Sequence, residues 1–139
     1  MAVGSWLATA PVDAITIYVS GPPYYYFYDN GVYYQPEGSG YEVVDPPPGA
    51  VVPTAPPGCP GASPDGGRYL NCGGTYYSSV AKGYQVVAPP TGSTVNVLPA
   101  GAQKVTVKGV TYYKSNDQVY YRPFFSGSAV IYQVVANPL

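Results

Sequence analysis

The sequence has no histidine, one methionine, one tryptophan and two cysteines among its 139 residues, and only 9% of it is charged. The lack of histidine removes Ser-His-Asp and Cys-His arrangements and most transition-metal sites. The six Lys and Arg are scattered and the net charge is −1. A nucleic-acid binder needs a basic patch to neutralise phosphates, so that class is disfavoured. The carboxylates Asp13, Asp29, Glu37, Glu42, Asp45, Asp65 and Asp117 fall singly, mostly in turn-like segments. Glu42 and Asp45 flank Val43-Val44, where a solvated strand end is the plainer reading than an acid/base pair. No Gly-rich phosphate loop leads into a helix. These absences point away from an enzyme and imply no cofactor and no metal. No run of about 18 apolar residues exists, so no membrane-spanning helix is expected. No basic region and apolar core follow Met1 as in a signal peptide, yet the low charge, the tyrosines and the two cysteines suggest an exported chain met in its mature or trimmed form.

What the chain does have is 17 Gly, 17 Pro and 17 Tyr, with frequent Val. Gly and Pro cost about 1 and 3 kcal/mol in a helix interior, whereas Tyr and Val suit a pleated, half-buried surface. The spacing is ordered. "GVYYQPEGSGYEVVDPPPGAVVPTAPPG" (31–58) superposes without gaps on "GTYYSSVAKGYQVVAPPTGSTVNVLPAG" (74–101). Tyr33-Tyr34 fall on Tyr76-Tyr77, Gly40 on Gly83, Val43-Val44 on Val86-Val87, and Gly49 on Gly92. A third copy starts at "QVYYRP" (118–123) and resumes at "YQVVANP" (132–138), after an insertion around Phe124 to Ile131. Asp29-Asn30-Gly31 supplies the positive-φ residues of a tight hairpin turn. Gly-Tyr-x-Val-Val reads as a short strand, Pro-Pro-x-Gly as a turn, and "KVTVKG" (104–109) as an alternating strand. The expected architecture is all-β: tandem short-strand repeats of about 43 residues, each of roughly four strands, sandwich-like or blade-like.

The termini read as out of phase. "GSWLATAPVDAITIYVSG" (4–21) matches "GSTVNVLPAGAQKVTVKG" (92–109) at Gly4/Gly92, Pro11/Pro99, Ile17/Val105 and Gly21/Gly109. A single domain over 1–139 is therefore expected to hold an N-terminal half-repeat (1–22), two repeats (23–66 and 67–110) and a C-terminal half-repeat (111–139). Half-repeats leave unpaired edges, which closure within the chain or pairing with a neighbouring chain would satisfy. The second option makes 4–21 a donor strand, with Ile15, Ile17 and Val19 setting register in a head-to-tail homopolymer.

Cys59 and Cys72 frame "CPGASPDGGRYLNC", and a disulfide is the default for an exported β protein, with a reactive thiol pair as the rival. In the aromatic run Tyr24, Tyr25, Tyr26, Tyr28, Tyr33 and Tyr34, alternation places rings on both faces. One face packs inward and the other is expected to meet water, a ligand or another subunit, since Tyr suits half-wet interfaces; a core and cross-strand aromatic ladder extended to subunit contacts is the preferred reading, and sugar stacking on exposed rings the second.

These motifs, GVYYQP with GYEVVDPPPG and then VTYYKSNDQVYYRP, resemble a family of exported bacterial proteins of unknown function with G-V-Y-Y-x-P and G-Y-x-V-V-x-P-P-x-G repeats. The resemblance covers about residues 21 to 136. It implies a bacterial envelope or extracellular location, with periplasm as second choice, and brings no activity. The functional expectation is a structural, self-associating subunit of an extracellular filament, sheath or matrix, built by strand complementation. The alternative is a monomeric surface module that binds glycan or peptidoglycan through exposed tyrosines.

Overall fold

The structure, a computed structural model, describes residues 3–139; residues 1 and 2 of the expected N-terminal half-repeat lie outside the described residues. The protein is all-β, with three five-stranded antiparallel sheets. The first holds β1 (Trp6–Leu7), β2 (Ile15–Tyr18), β3 (Tyr25–Asp29), β4 (Val32–Glu37) and β5 (Gly40–Val44). The second holds β6 (Val51–Val52), β7 (Gly61–Ala62), β8 (Tyr69–Cys72), β9 (Thr75–Val80) and β10 (Gly83–Val87). The third holds β11 (Thr94–Val95), β12 (Gln103–Val107), β13 (Val110–Lys114), β14 (Tyr120–Ser126) and β15 (Ala129–Val135). Each sheet is a four-strand meander whose last strand also pairs with the two-residue strand that opens the unit.

The sheets redraw the repeat frame. Trp6 and Leu7 pair with Glu42 and Tyr41, and Ile15–Tyr18 pair with Tyr28–Tyr25, all in the same chain. The N-terminal segment is thus the first two strands of a complete five-stranded unit. The third sheet likewise draws β11 and β12 from the segment before residue 111. The half-repeats expected at the two ends are corrected to three whole units of five strands each.

One turn ties each unit together, and it recurs three times. The glycine before the opening strand has positive φ: 91° at Gly4, 85° at Gly49 and 96° at Gly92. Its N–H donates to the carbonyl of a buried valine: Gly4 to Val43 (2.8 Å), Gly49 to Val86 (2.9 Å) and Gly92 to Val134 (2.9 Å). Each valine N–H donates back to the residue after that glycine, Ser5, Ala50 or Ser93. Pro-Pro-x-Gly therefore opens the next sheet, because only a residue free to adopt this φ turns the chain onto the edge of the meander.

The proline of the Tyr-Tyr-x-Pro motif also has a place. Pairing of β4 with β3 ends at Tyr34, and pairing of β14 with β13 ends at Tyr121. Pro36 and Pro123 follow where the middle strand has lost one neighbour, so the missing N–H removes no ladder bond on that side. The Asp29-Asn30-Gly31 hairpin closes with Asp29 opposite Val32 and with positive φ at Asn30 (48°) and Gly31 (89°).

By compactness the chain forms two units rather than the single domain expected. One comprises the chain up to Ala62 with Arg68–Val87; the other comprises Ser63–Gly67 with Ala88–Leu139. The first contains the first two sheets, which share a core of Ile17, Tyr28, Tyr33, Ala50, Val52, Tyr77 and Val86. Val19 and Tyr26 pack against that core. In the second unit the third sheet carries the edge-to-face pair Tyr113–Tyr132, with ring centroids 5.7 Å apart.

Candidate binding surface

The repeat-defining tyrosines are core residues. Tyr33, Tyr34, Tyr76, Tyr77, Tyr120 and Tyr121 are each between 1 and 5% exposed. Adjacent strand residues face opposite sides, so in every sheet both faces are covered at this level. The expectation that one face of the aromatic run meets solvent or a partner is corrected here. Tyr28, Tyr33 and Tyr34 are buried, Tyr26 packs on the core, and only Tyr24 and Tyr25 remain exposed.

Burial carries a chemical signature. The Tyr33 and Tyr77 hydroxyls share a hydrogen bond of 2.8 Å, and the Tyr28 hydroxyl donates to the Thr54 carbonyl at 3.2 Å. Loss of hydration pushes the Tyr28 hydroxyl up to about 12, with Tyr77 adding to the shift. Burial raises Tyr33 well above its ordinary value, and the bond to Tyr77 raises it further. Tyr77 is raised by burial while the bond from Tyr33 opposes the shift. Burial also raises Tyr34 and Tyr121. No buried side-chain nitrogen or oxygen among the described residues lacks a hydrogen-bond partner. The cluster is a satisfied core.

Ile15, Ile17 and Val19 do not form a free donor strand. Ile17 is 4% exposed within its own chain's core, and Val19 packs on that core. Alternation, which suggested register for a partner, instead turns Ile17 and Val19 into the core shared with the second sheet, where β2 lies against β6. Ile15 is partly exposed at the strand's start.

The other side of β2 is different. Tyr18 is 77% exposed and sits opposite Tyr25 in the β2–β3 register. Tyr24, 60% exposed, begins the return strand with φ at 74°. Its N–H donates to the Gly21 carbonyl (2.7 Å) and its carbonyl accepts from Val19 N–H (3.0 Å). A non-glycine residue in the left-handed region costs about 1–2 kcal/mol, and here no burial of the ring offsets it. Tyr25 continues edge-to-face onto Phe27 (5.8 Å), and Phe27 onto Tyr41 (5.3 Å). Tyr18 and Tyr25, opposite each other across the two strands, thus make an aromatic platform in which Tyr25 rests on a supporting ring ladder, with Tyr24 exposed beside them at the same end of the hairpin. Tyr18 was missed from the sequence, although alternation with buried Ile17 in "ITIY" carries the signal.

Cys59 and Cys72 are joined by a disulfide that ties the end of β8 to the loop before β7. Beside it lies an open cleft of about 340 Å³ lined by Asn30, Pro56, Pro60, Asn71, Thr75 and Tyr77 among others. The Asn71 amide is engaged, its Oδ1 accepting from Gly74 N–H at 2.8 Å and its Nδ2 reaching the Tyr76 hydroxyl at 3.5 Å. No group of three or more acidic, Cys or His residues among the described residues could hold a metal ion. No helix among the described residues is long and apolar enough to cross a membrane.

No curated protein and no solved structure matches the chain. A family described as a family of unknown function, DUF6515, matches residues 1–137. Since this match spans nearly the whole sequence and all three sheets, the chain belongs to the DUF6515 family of unknown function.

Proposed function

We propose that the protein is a non-enzymatic module of the bacterial envelope or cell exterior that binds polysaccharide through Tyr18, Tyr24 and Tyr25. The observation that carries this reading is the contrast between tyrosines. The repeat pairs are buried and satisfied, whereas these three are exposed at one end of one hairpin, one of them in a costly backbone conformation. Such strain at an exposed residue favours a role at the surface. The C–H faces of a pyranose match the electron-rich face of an aromatic ring, and the phenol hydroxyls can hydrogen-bond sugar hydroxyls. The disulfide supports an oxidising compartment outside the cytosol.

Co-sedimentation with purified peptidoglycan sacculi and other insoluble cell-wall polysaccharides tests this. Wild type is expected in the pellet. Tyr18→Ala/Tyr24→Ala/Tyr25→Ala is expected to bind at least about tenfold more weakly, at ~0.5–1.5 kcal/mol per ring contact. Equal retention of the two proteins sinks the reading.

A second reading, self-association, has one observation in its favour. β2 is an outer strand of its sheet and exposes Tyr18 beside its free edge. Association would then be edge to edge, in place of the strand donation expected from the sequence. A lysine at that edge (Thr16→Lys) is expected to dissociate such an assembly.

A further inference from the structure

The insertion that interrupts the third repeat is a hairpin extension. In β14 and β15 the pairing continues past the part shared with the other repeats, through Phe124↔Ile131, Phe125↔Val130 and Ser126↔Ala129. β13 pairs with β14 only at Tyr113 and Lys114, so this outer part is a two-stranded ribbon. Its tip, Ser126 to Ala129, is exposed and uncharged. Phe125 is 82% exposed and Phe124 41%.

Two features say what the ribbon suits. First, strand alternation puts Phe125 and Val130 on one face and Phe124 and Ile131 on the other. A ribbon that docks on a folded partner buries one face and keeps the other polar. One that is apolar on both faces suits immersion in an apolar medium. Second, the charged side chains that the strand order places at its end of the sheet are cations. Residues 88–139 carry Lys104, Lys108, Lys114 and Arg122 against Asp117 as their one acidic side chain. Antiparallel order places the Lys108-Gly109 turn at the same end of the sheet as the Phe tip, and Asp117, in the β13–β14 connection, toward the opposite end with Lys104 and Lys114. Arg122 sits just behind the tip with its guanidinium 5.6 Å from the Phe124 ring centroid. Apolar residues at the point with cations set back from it match the acyl region and anionic headgroups of a lipid surface.

We propose that the β14–β15 tip is a lipid-docking device that inserts Phe124 and Phe125 into an anionic bilayer surface while Arg122 and Lys108 contact headgroup phosphates. It is a separate surface from the tyrosine platform and holds whether or not that platform binds sugar.

The test is sedimentation of the full chain with phosphatidylcholine vesicles, with and without a quarter phosphatidylglycerol. Binding is expected to the anionic vesicles and to weaken with salt. Phe124→Ser/Phe125→Ser, checked for an unchanged circular dichroism spectrum, is expected to bind at least about tenfold more weakly. Independently, the indole of the Phe125→Trp variant is expected to be quenched by lipids brominated on their acyl chains, with wild type, whose single tryptophan is Trp6, as blank. No binding to anionic vesicles, binding unchanged in the double serine variant, or an unquenched indole would each overturn the proposal. So would a lipid-free dimer that the double serine substitution dissolves, since the tip would then be covered by a second copy.

Discussion

The hydroxyl oxygens of Tyr33 and Tyr77 lie 2.8 Å apart in the core of the first unit, one ring from β4 and the other from β9. The bond joins equivalent stretches of two successive repeats, but through the first tyrosine of one Tyr-Tyr pair and the second of the next. The first two repeats therefore meet by unlike faces.

Removing one partner of this bond leaves the other hydroxyl buried and unpaired. Tyr33→Phe and Tyr77→Phe are each expected to cost about 1–3 kcal/mol in urea unfolding. The double substitution is expected to cost clearly less than their sum, since it leaves no orphan. Strictly additive losses would show that the hydroxyls are not coupled.

Buried tyrosines also set a limit at high pH. The folded state holds the Tyr28 proton up to about 12, against an ordinary value of 10.0, and Tyr33 and Tyr77 are shifted the same way. The unfolded chain loses these protons first, so the contribution of these tyrosines to stability is constant below pH 10 and falls above it. Between pH 10 and 12 Tyr28 contributes a slope of up to about 1.4 kcal/mol per pH unit, and Tyr33 and Tyr77 add in the same direction. Alkaline unfolding monitored by circular dichroism, beside tyrosinate absorbance near 295 nm, checks this. Tyr28→Phe is expected to reduce the slope, and an unchanged slope would contradict it.

The glycine of Gly-Tyr-x-Val-Val is fixed by the two-residue strand that crosses it. A Cβ at Gly83 would run into the Val52 carbonyl oxygen, and its φ is 140°. At Gly40 a Cβ would meet the Leu7 carbonyl oxygen and the Trp6 ring. Gly83→Ala is expected to lose at least ~2 kcal/mol of stability. Gly21→Ala, where nothing lies within 4 Å, is expected to stay within about 0.5 kcal/mol of wild type.

Deleting residues 1–21 removes β1 and β2 from the first sheet and uncovers the core around Tyr28 and Tyr33. The truncated chain is expected to lose cooperative unfolding of the first unit and to bind a hydrophobic dye. A truncated protein as stable as wild type would mean that this segment belongs to another subunit after all.

Much of this was legible in the sequence. Asn30-Gly31 announced its hairpin because only residues tolerant of positive φ close a two-residue turn. The repeated Gly, Pro and Val positions marked the recurrent bonds to Val43, Val86 and Val134. The phase of the repeat was not legible. Self-comparison fixes a period, but any starting point along the period matches equally well, and only the pairing of Trp6 with Glu42 shows where a unit begins. Nor could alternation reveal that both faces of the Tyr33-Tyr34 pair are covered, since it gives direction and not what lies opposite. The insertion at Phe124 read as a break in the motif, whereas its register continues the hairpin.

The most direct test of a chain that completes its own sheets is sedimentation equilibrium of the native, oxidised protein over a wide concentration range. Strand pairing within the chain predicts the mass of a single chain throughout. A mass that grows with concentration even with the β2 edge blocked by Thr16→Lys and the β14–β15 tip by Phe124→Ser/Phe125→Ser would contradict it.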